Sequence, residues 1–237
     1  MDNSRITLMI QGHEIWLEKS KSECNNIDLA VMFGHNMCQD GLADVKRLKT
    51  FTYSPEGKRI EALLNPGETR HLLSFKVEEQ GYYTAIADLG SIILSQTKAG
   101  YERGPRSMFK DVIYAGAFHQ MAKTIIPVNP TNGFEGTLMH GILEIVPKDY
   151  RCQVGQKIEL QVFYEGNPLA FEEVKAVSKV DGKEKAMLKT DEYGIARVPI
   201  TTEGDWMFLV RHRDPTKKVS EMFDESVFVT TLVMEAR

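Results

Sequence analysis

From residue 137 to the C-terminus, turn residues punctuate the chain about every 8–12 positions, too often for a helix of useful length. Between the turns, polar and apolar residues alternate. In Gln156–Tyr164, the residues Ile158, Leu160, Val162 and Tyr164 point one way, and Lys157, Glu159 and Gln161 the other. That is the two-residue period of a strand with one buried face. Glu165-Gly166-Asn167-Pro168 then turns the chain. Val174–Val180 reads as a second strand, closed by Asp181-Gly182, a dipeptide suited to a two-residue hairpin. Asp191–Gly194 is another turn, and Ile195–Ile200, Trp206–His212 and Phe228–Met234 are further strands. Strands this short must pack sheet against sheet to bury their apolar faces, so the pattern predicts a sandwich.

The first half is β-rich but less regular. His13–Leu17, Leu29–Met37, Val45–Tyr53, His71–Val77 and Tyr82–Ala87 are expected strands, with Gly57, Gly67 and Gly81 at turns. Ser91–Lys110 is ambiguous, part of it open to a helix, and the apolar positions of Asp111–Ala122 satisfy both periods. Pro127–Gly136 (PVNPTNGFEG) reads as a linker. The expectation is an all-β protein of two antiparallel β-sandwich domains, Ig-like or prealbumin-like, at residues 1–126 and 137–237, joined by linker 127–136. A chain of 237 residues accommodates two such cores. Trp16 and Trp206 are expected core anchors.

Several function classes are disfavoured. A net charge of -4 lacks the basic field of a general nucleic-acid binder. No run approaches the ~18 apolar residues that cross a bilayer, so no membrane insertion is expected. Ile6–Ile10 is too short for a signal-peptide core, so the chain is either cytoplasmic or given without its leader. Cys24, Cys38 and Cys152 make no disulfide framework and no CxxC motif; a Cys24–Cys38 bridge and three free thiols both fit. There is no GxSxG elbow, P-loop or GxGxxG, and His13-Glu14 lacks the second histidine of a zincin helix. The carboxylates read as solvated surface charge. A binder is therefore expected, not an enzyme.

The histidines carry more chemistry. Of the six, His35, His119, His140 and His212 lie close to a methionine. Imidazole suits nickel, cobalt, copper and zinc, whereas thioether and thiolate favour softer ions. His35 shares strand parity with Leu29, Val31 and Phe33; His212 with Trp206, Phe208 and Val210; His13 with Ile15 and Leu17. Each of these three sits at a strand end, where a side chain reaches the rim of a sandwich. The expected metal ligands are His13, His35 and His212, with His119 and His140 added on chemical grounds and Met37, Cys38 and Met121 as soft donors.

Several segments together resemble a family of secreted proteins described as the periplasmic component of cobalt/nickel transport systems, the domain-of-unknown-function family DUF4198. They are His13-Glu14-Ile15-Trp16-Leu17, Gly34-His35, Gly141–Pro147, Val154-Gly155-Gln156, Tyr164–Leu169, Thr190–Gly194, and Gly204-Asp205-Trp206 through His212. The resemblance covers nearly the whole chain from His13. It implies two β-sandwich domains, a periplasmic or extracellular location, and a bound transition-metal ion passed to a membrane metal transporter. The family's histidines fall on His13, His35 and His212. The family's mature chains begin near His13, so the residues before it, if retained, leave that histidine only its ring for binding.

The leading expectation is thus a non-catalytic nickel/cobalt-binding protein serving an uptake transporter. Imidazole ligands would make binding weaken as pH falls through about 6. A copper protein using His and Met ligands (Met32, Met37, Met121) is one alternative. An Ig-like interaction or adhesion module without metal is another.

Overall fold

The computed structural model describes residues 12–20, 25–131, 133–139 and 141–237. In the first half the strands are β1 (Glu14–Lys19), β2 (Asn26–His35), β3 (Cys38–Gln39), β4 (Lys49–Tyr53), β5 (Arg59–Ile60), β6 (Leu63–Asn65) and β7 (His71–Lys76). They continue with β8 (Gly81–Thr97), β9 (Tyr101–Arg103) and β10 (Val112–Val128), a single 3-10 turn (Arg106–Met108) lying before β10. The second half holds β11 (Leu143–Pro147), β12 (Lys157–Tyr164), β13 (Asn167–Pro168), β14 (Glu173–Ser178) and β15 (Lys183–Lys189). β16 (Ile195–Pro199), β17 (Gly204–Asp214) and β18 (Glu225–Ala236) end the chain. The protein is all-β, its sheets antiparallel except where β10 runs parallel to β18.

That parallel pair organises the molecule. It joins strands of both halves into one nine-stranded sheet, in the order β15-β14-β17-β18-β10-β8-β4-β5 with β9 beside β8. A five-stranded sheet of β1, β2, β3, β6 and β7 packs into its hollow. Ile15, Leu17, Leu29, Val31 and Leu73 meet Tyr83, Ala85 and Ala122 on one face of the smaller sheet. Trp16, Ala30 and Met32 meet Val177, Met207, Leu209 and Val229 on the other. The large sheet therefore bends around β1, whose edge is tied down where Thr231 Oγ1 donates to the Ile15 carbonyl at 2.7 Å. A four-stranded sheet of β11, β12, β13 and β16 covers the outer face of β14, β17 and β18 through Trp206, Phe208, Leu160, Val162 and Leu232.

This arrangement explains where the sequence pattern was ambiguous. Strands in the middle of the large sheet are covered on both faces, so β18 is buried almost throughout and shows little alternation. β10 is continuously buried only over Met121–Ile126, and its pairing with β8 and β18 settles Asp111–Ala122 as strand. Within Ser91–Lys110, Ser91–Thr97 completes the long β8, Tyr101–Arg103 forms β9, and only the 3-10 turn is helical. The expected linker 127–136 begins inside β10, since Pro127 and Val128 still pair with Tyr82 and Gly81. It marks where the chain leaves the shared sheet, not a gap between two separate sheets. Trp16 and Trp206 are both fully buried.

Candidate metal centre

The β1–β2 ladder sets the first two side chains. Glu14 pairs with Gly34, so His13, one residue earlier, stands beside His35, one residue later. Their ring centroids are 4.4 Å apart, and His13 stacks on Phe33 at 4.7 Å. A two-residue turn at Asn36 and Met37, both left-handed (φ 52° and 61°), then returns the chain as β3, with His35 opposite Cys38. Non-glycine residues resist that conformation. Burying Met37 in the core and donating the Asn36 N–H to Glu14 Oε2 at 3.0 Å offset the cost.

The returning strand lies directly on Gly34. A Cβ there would sit 2.2 Å from the Cys38 carbonyl oxygen and 2.9 Å from the Asp40 nitrogen. The amides of Asp40 and Gly41 both donate to the Phe33 carbonyl, at 3.3 and 3.2 Å. Asp40 is thereby delivered to the two imidazoles. One carboxylate oxygen lies 3.0 Å from His13 Nε2, and the other 2.7 Å from His35 Nδ1. The hydrogen bond from His35 holds the Asp40 carboxyl below the ordinary carboxylate range. One ligand atom from each of His13, His35 and Asp40 lies within 4.8 Å of the others, at a half-exposed rim. An ion with bonds of roughly 2.0–2.1 Å spans ligands up to about 4.2 Å apart, so a small inward movement closes the site. Two imidazoles and one carboxylate leave coordination positions open, as in sites that exchange their ion.

The other expected ligands lie elsewhere. His212 shares its face of β17 with Trp206, Phe208 and Val210, which turn away from the sheet carrying His13 and His35. Its Nδ1 is 2.5 Å from Glu172 Oε2, and its ring packs against Tyr164 at 4.4 Å. It shares with His35 only the walls of a cleft of about 620 Å³. His119 Nε2 is 2.8 Å from Asp88 Oδ1, between β10 and β8. His140 lies outside the described residues, as does Cys24. Met32, Met37 and Met121 are buried. Cys38 is an exposed free thiol, and Cys152 a buried one whose titration burial pushes up to about 12. Asp40 was missed because a lone aspartate in a loop carries no sequence signal. Gly34, on which the returning strand lies, was the trace of the close backbone approach. Nor are all the carboxylates solvated, since Glu14, Glu18, Glu144, Asp214 and Glu225 are buried.

The family model described as "Domain of unknown function (DUF4198)" matches residues 10–214. The chain belongs to that family. The match takes in His13, His35, Asp40 and His212, while the DUF4198 description itself assigns no activity. No curated protein matches the chain. Among solved structures, the D0-D1 domain of intimin is 13% identical, with 93% of this chain and 97% of that one covered and a TM-score of 0.24. Native alpha-2-macroglobulin from Escherichia coli, spanning domains MG0-NIE-MG1, is 8% identical, with 95% and 97% covered and a TM-score of 0.25. The Escherichia coli adhesin FdeC is 10% identical, with 96% and 65% covered and a TM-score of 0.25. Likenesses this slight bear on neither the site nor the function. Among the described residues, no helix is long and apolar enough to cross a membrane.

Proposed function

We propose that this DUF4198 protein is an extracytoplasmic binder of a divalent transition-metal ion, nickel or cobalt in the first instance, held by His13, His35 and Asp40. Its work is capture and release on behalf of a membrane metal transporter, not catalysis. The observation that carries the reading is the convergence of two imidazoles and a carboxylate, from two different stretches of chain, on one exposed point. The nitrogen and oxygen donor set suits borderline divalent ions. It does not suit Cu(I), because Met32, Met37 and Met121 are packed in the interior. Location and transporter rest on the resemblance to secreted cobalt/nickel components.

Calorimetric titration of the metal-stripped protein with Ni(II), Co(II), Zn(II) and Cu(II) tests the proposal. Sub-micromolar binding of at least one ion is expected, abolished by His13→Ala or His35→Ala and retained in His212→Ala. Absence of such binding for all four ions would sink it.

A further inference from the structure

A second cavity, of about 550 Å³, opens between β8, β10 and the loop that follows β10. Lys123 lines it although only 2% of that residue is exposed to solvent. An ammonium carries three N–H donors. Among the described residues Lys123 Nζ has one partner, Glu144 Oε2 at 3.2 Å, and burial lowers its affinity for the proton. Ser54, on the same wall, has a buried hydroxyl oxygen with no hydrogen-bond partner. Donor and acceptor capacity is thus left over in the lining of one cavity. Buried polar groups ordinarily have partners, so this is where a ligand's hydroxyls would be satisfied.

The remaining walls narrow the ligand. Thr84 and Thr137 bring hydroxyl-bearing side chains, while Tyr82 and Phe134, edge to face at 5.1 Å, supply an aromatic wall. The volume lies within the range of small-molecule sites. An anion is disfavoured, because the charge of Lys123 is already matched by Glu144 and Glu135 adds a negative charge to the lining. We infer that this cavity binds a neutral saccharide unit, a hexose or N-acetylhexosamine. Its apolar ring face would lie on the aromatic wall and its hydroxyls on Lys123 and Ser54. This site is separate from the metal centre and does not depend on it.

The test is a titration of the full chain, followed by NMR, with glucose, galactose, mannose and N-acetylglucosamine, and with gluconate as the matched anion. At least one neutral sugar is expected to bind and to shift the Tyr82 and Phe134 resonances. Phe134→Ala and Ser54→Ala should each weaken that binding about fivefold or more. Both lie in the cavity wall away from the buried ion pair, so they remain informative if Lys123→Met fails to fold. No binding by any neutral sugar, stronger binding of gluconate, or binding indifferent to both substitutions would each overturn the inference.

Discussion

Asp40 is the residue on which the candidate centre turns, since each of its oxygens engages one imidazole. Replacing it with asparagine keeps the shape but removes the anion. Asp40→Asn is expected to weaken metal binding about 10- to 100-fold with the circular dichroism spectrum unchanged; an unchanged affinity would remove Asp40 from the ligand set. Gly34→Ala acts differently, because the new methyl would collide with the backbone of the returning strand. It should cost about 1–3 kcal/mol in urea unfolding and also impair metal binding. A third residue sets an acid response. Hydrogen bonds from Thr216, then Tyr164, lower the Asp214 carboxyl from 3.8 to about 2. A depressed pKa stabilises the fold above the unfolded value and loses that contribution as pH falls toward 2. Asp214→Asn should therefore flatten the pH dependence of the urea midpoint between pH 5 and 2. At this scale strand parity and strand-end position brought His13 and His35 to notice, and the fold sets their rings side by side. The fold sets His212 apart from that pair, because parity identifies a face of a strand but not which sheet that face looks toward.

Strands explain that limit. A strand half-buried in a simple sandwich alternates, and β12 does so, with Ile158, Leu160 and Val162 inward and Lys157, Glu159 and Gln161 less buried. Strands covered on both faces lose the alternation, as β18 does. The lysine-rich edge strand β15 escaped notice for a different reason. Its sequence KEKAMLK has little to bury, and exposed lysines are what an edge strand carries to discourage pairing with other chains. Polar residues inside β10 and β11 have a structural task instead. Lys123 and Glu144 tie the two strands together, and Glu144 also accepts the amides of Met139 and Gly141 at 2.9 and 2.6 Å. Removing one member leaves a buried charge without its counter-charge. Glu144→Ala should lower stability by about 3–5 kcal/mol, measured by denaturant unfolding. A loss below about 1 kcal/mol would mean that the ammonium finds water or another acceptor when its partner is gone.

For the whole molecule, the shared sheet has a consequence that two beads on a linker would not. β10 belongs to the first half and β18 to the second, yet they pair over Gly116–Thr124 and Glu225–Val233. β1 meanwhile is enclosed by strands from both halves. Separating the halves would expose the β10 and β18 edges and strip one face of the sheet that carries the candidate metal centre. The core around Trp16 draws on both halves, so unfolding should be one cooperative transition. The two tryptophans report on different cores: Trp16 lies between the small sheet and β17–β18, and Trp206 under the four-stranded sheet. Single-tryptophan variants, Trp16→Phe and Trp206→Phe, should each give a fluorescence transition in urea that coincides with its own far-ultraviolet circular dichroism. A fluorescence transition displaced from the dichroism in either variant would show that one core melts by itself. The parallel β10–β18 pair would then join two independently stable units, and His13 and His35 could change their spacing without disturbing the second half of the chain.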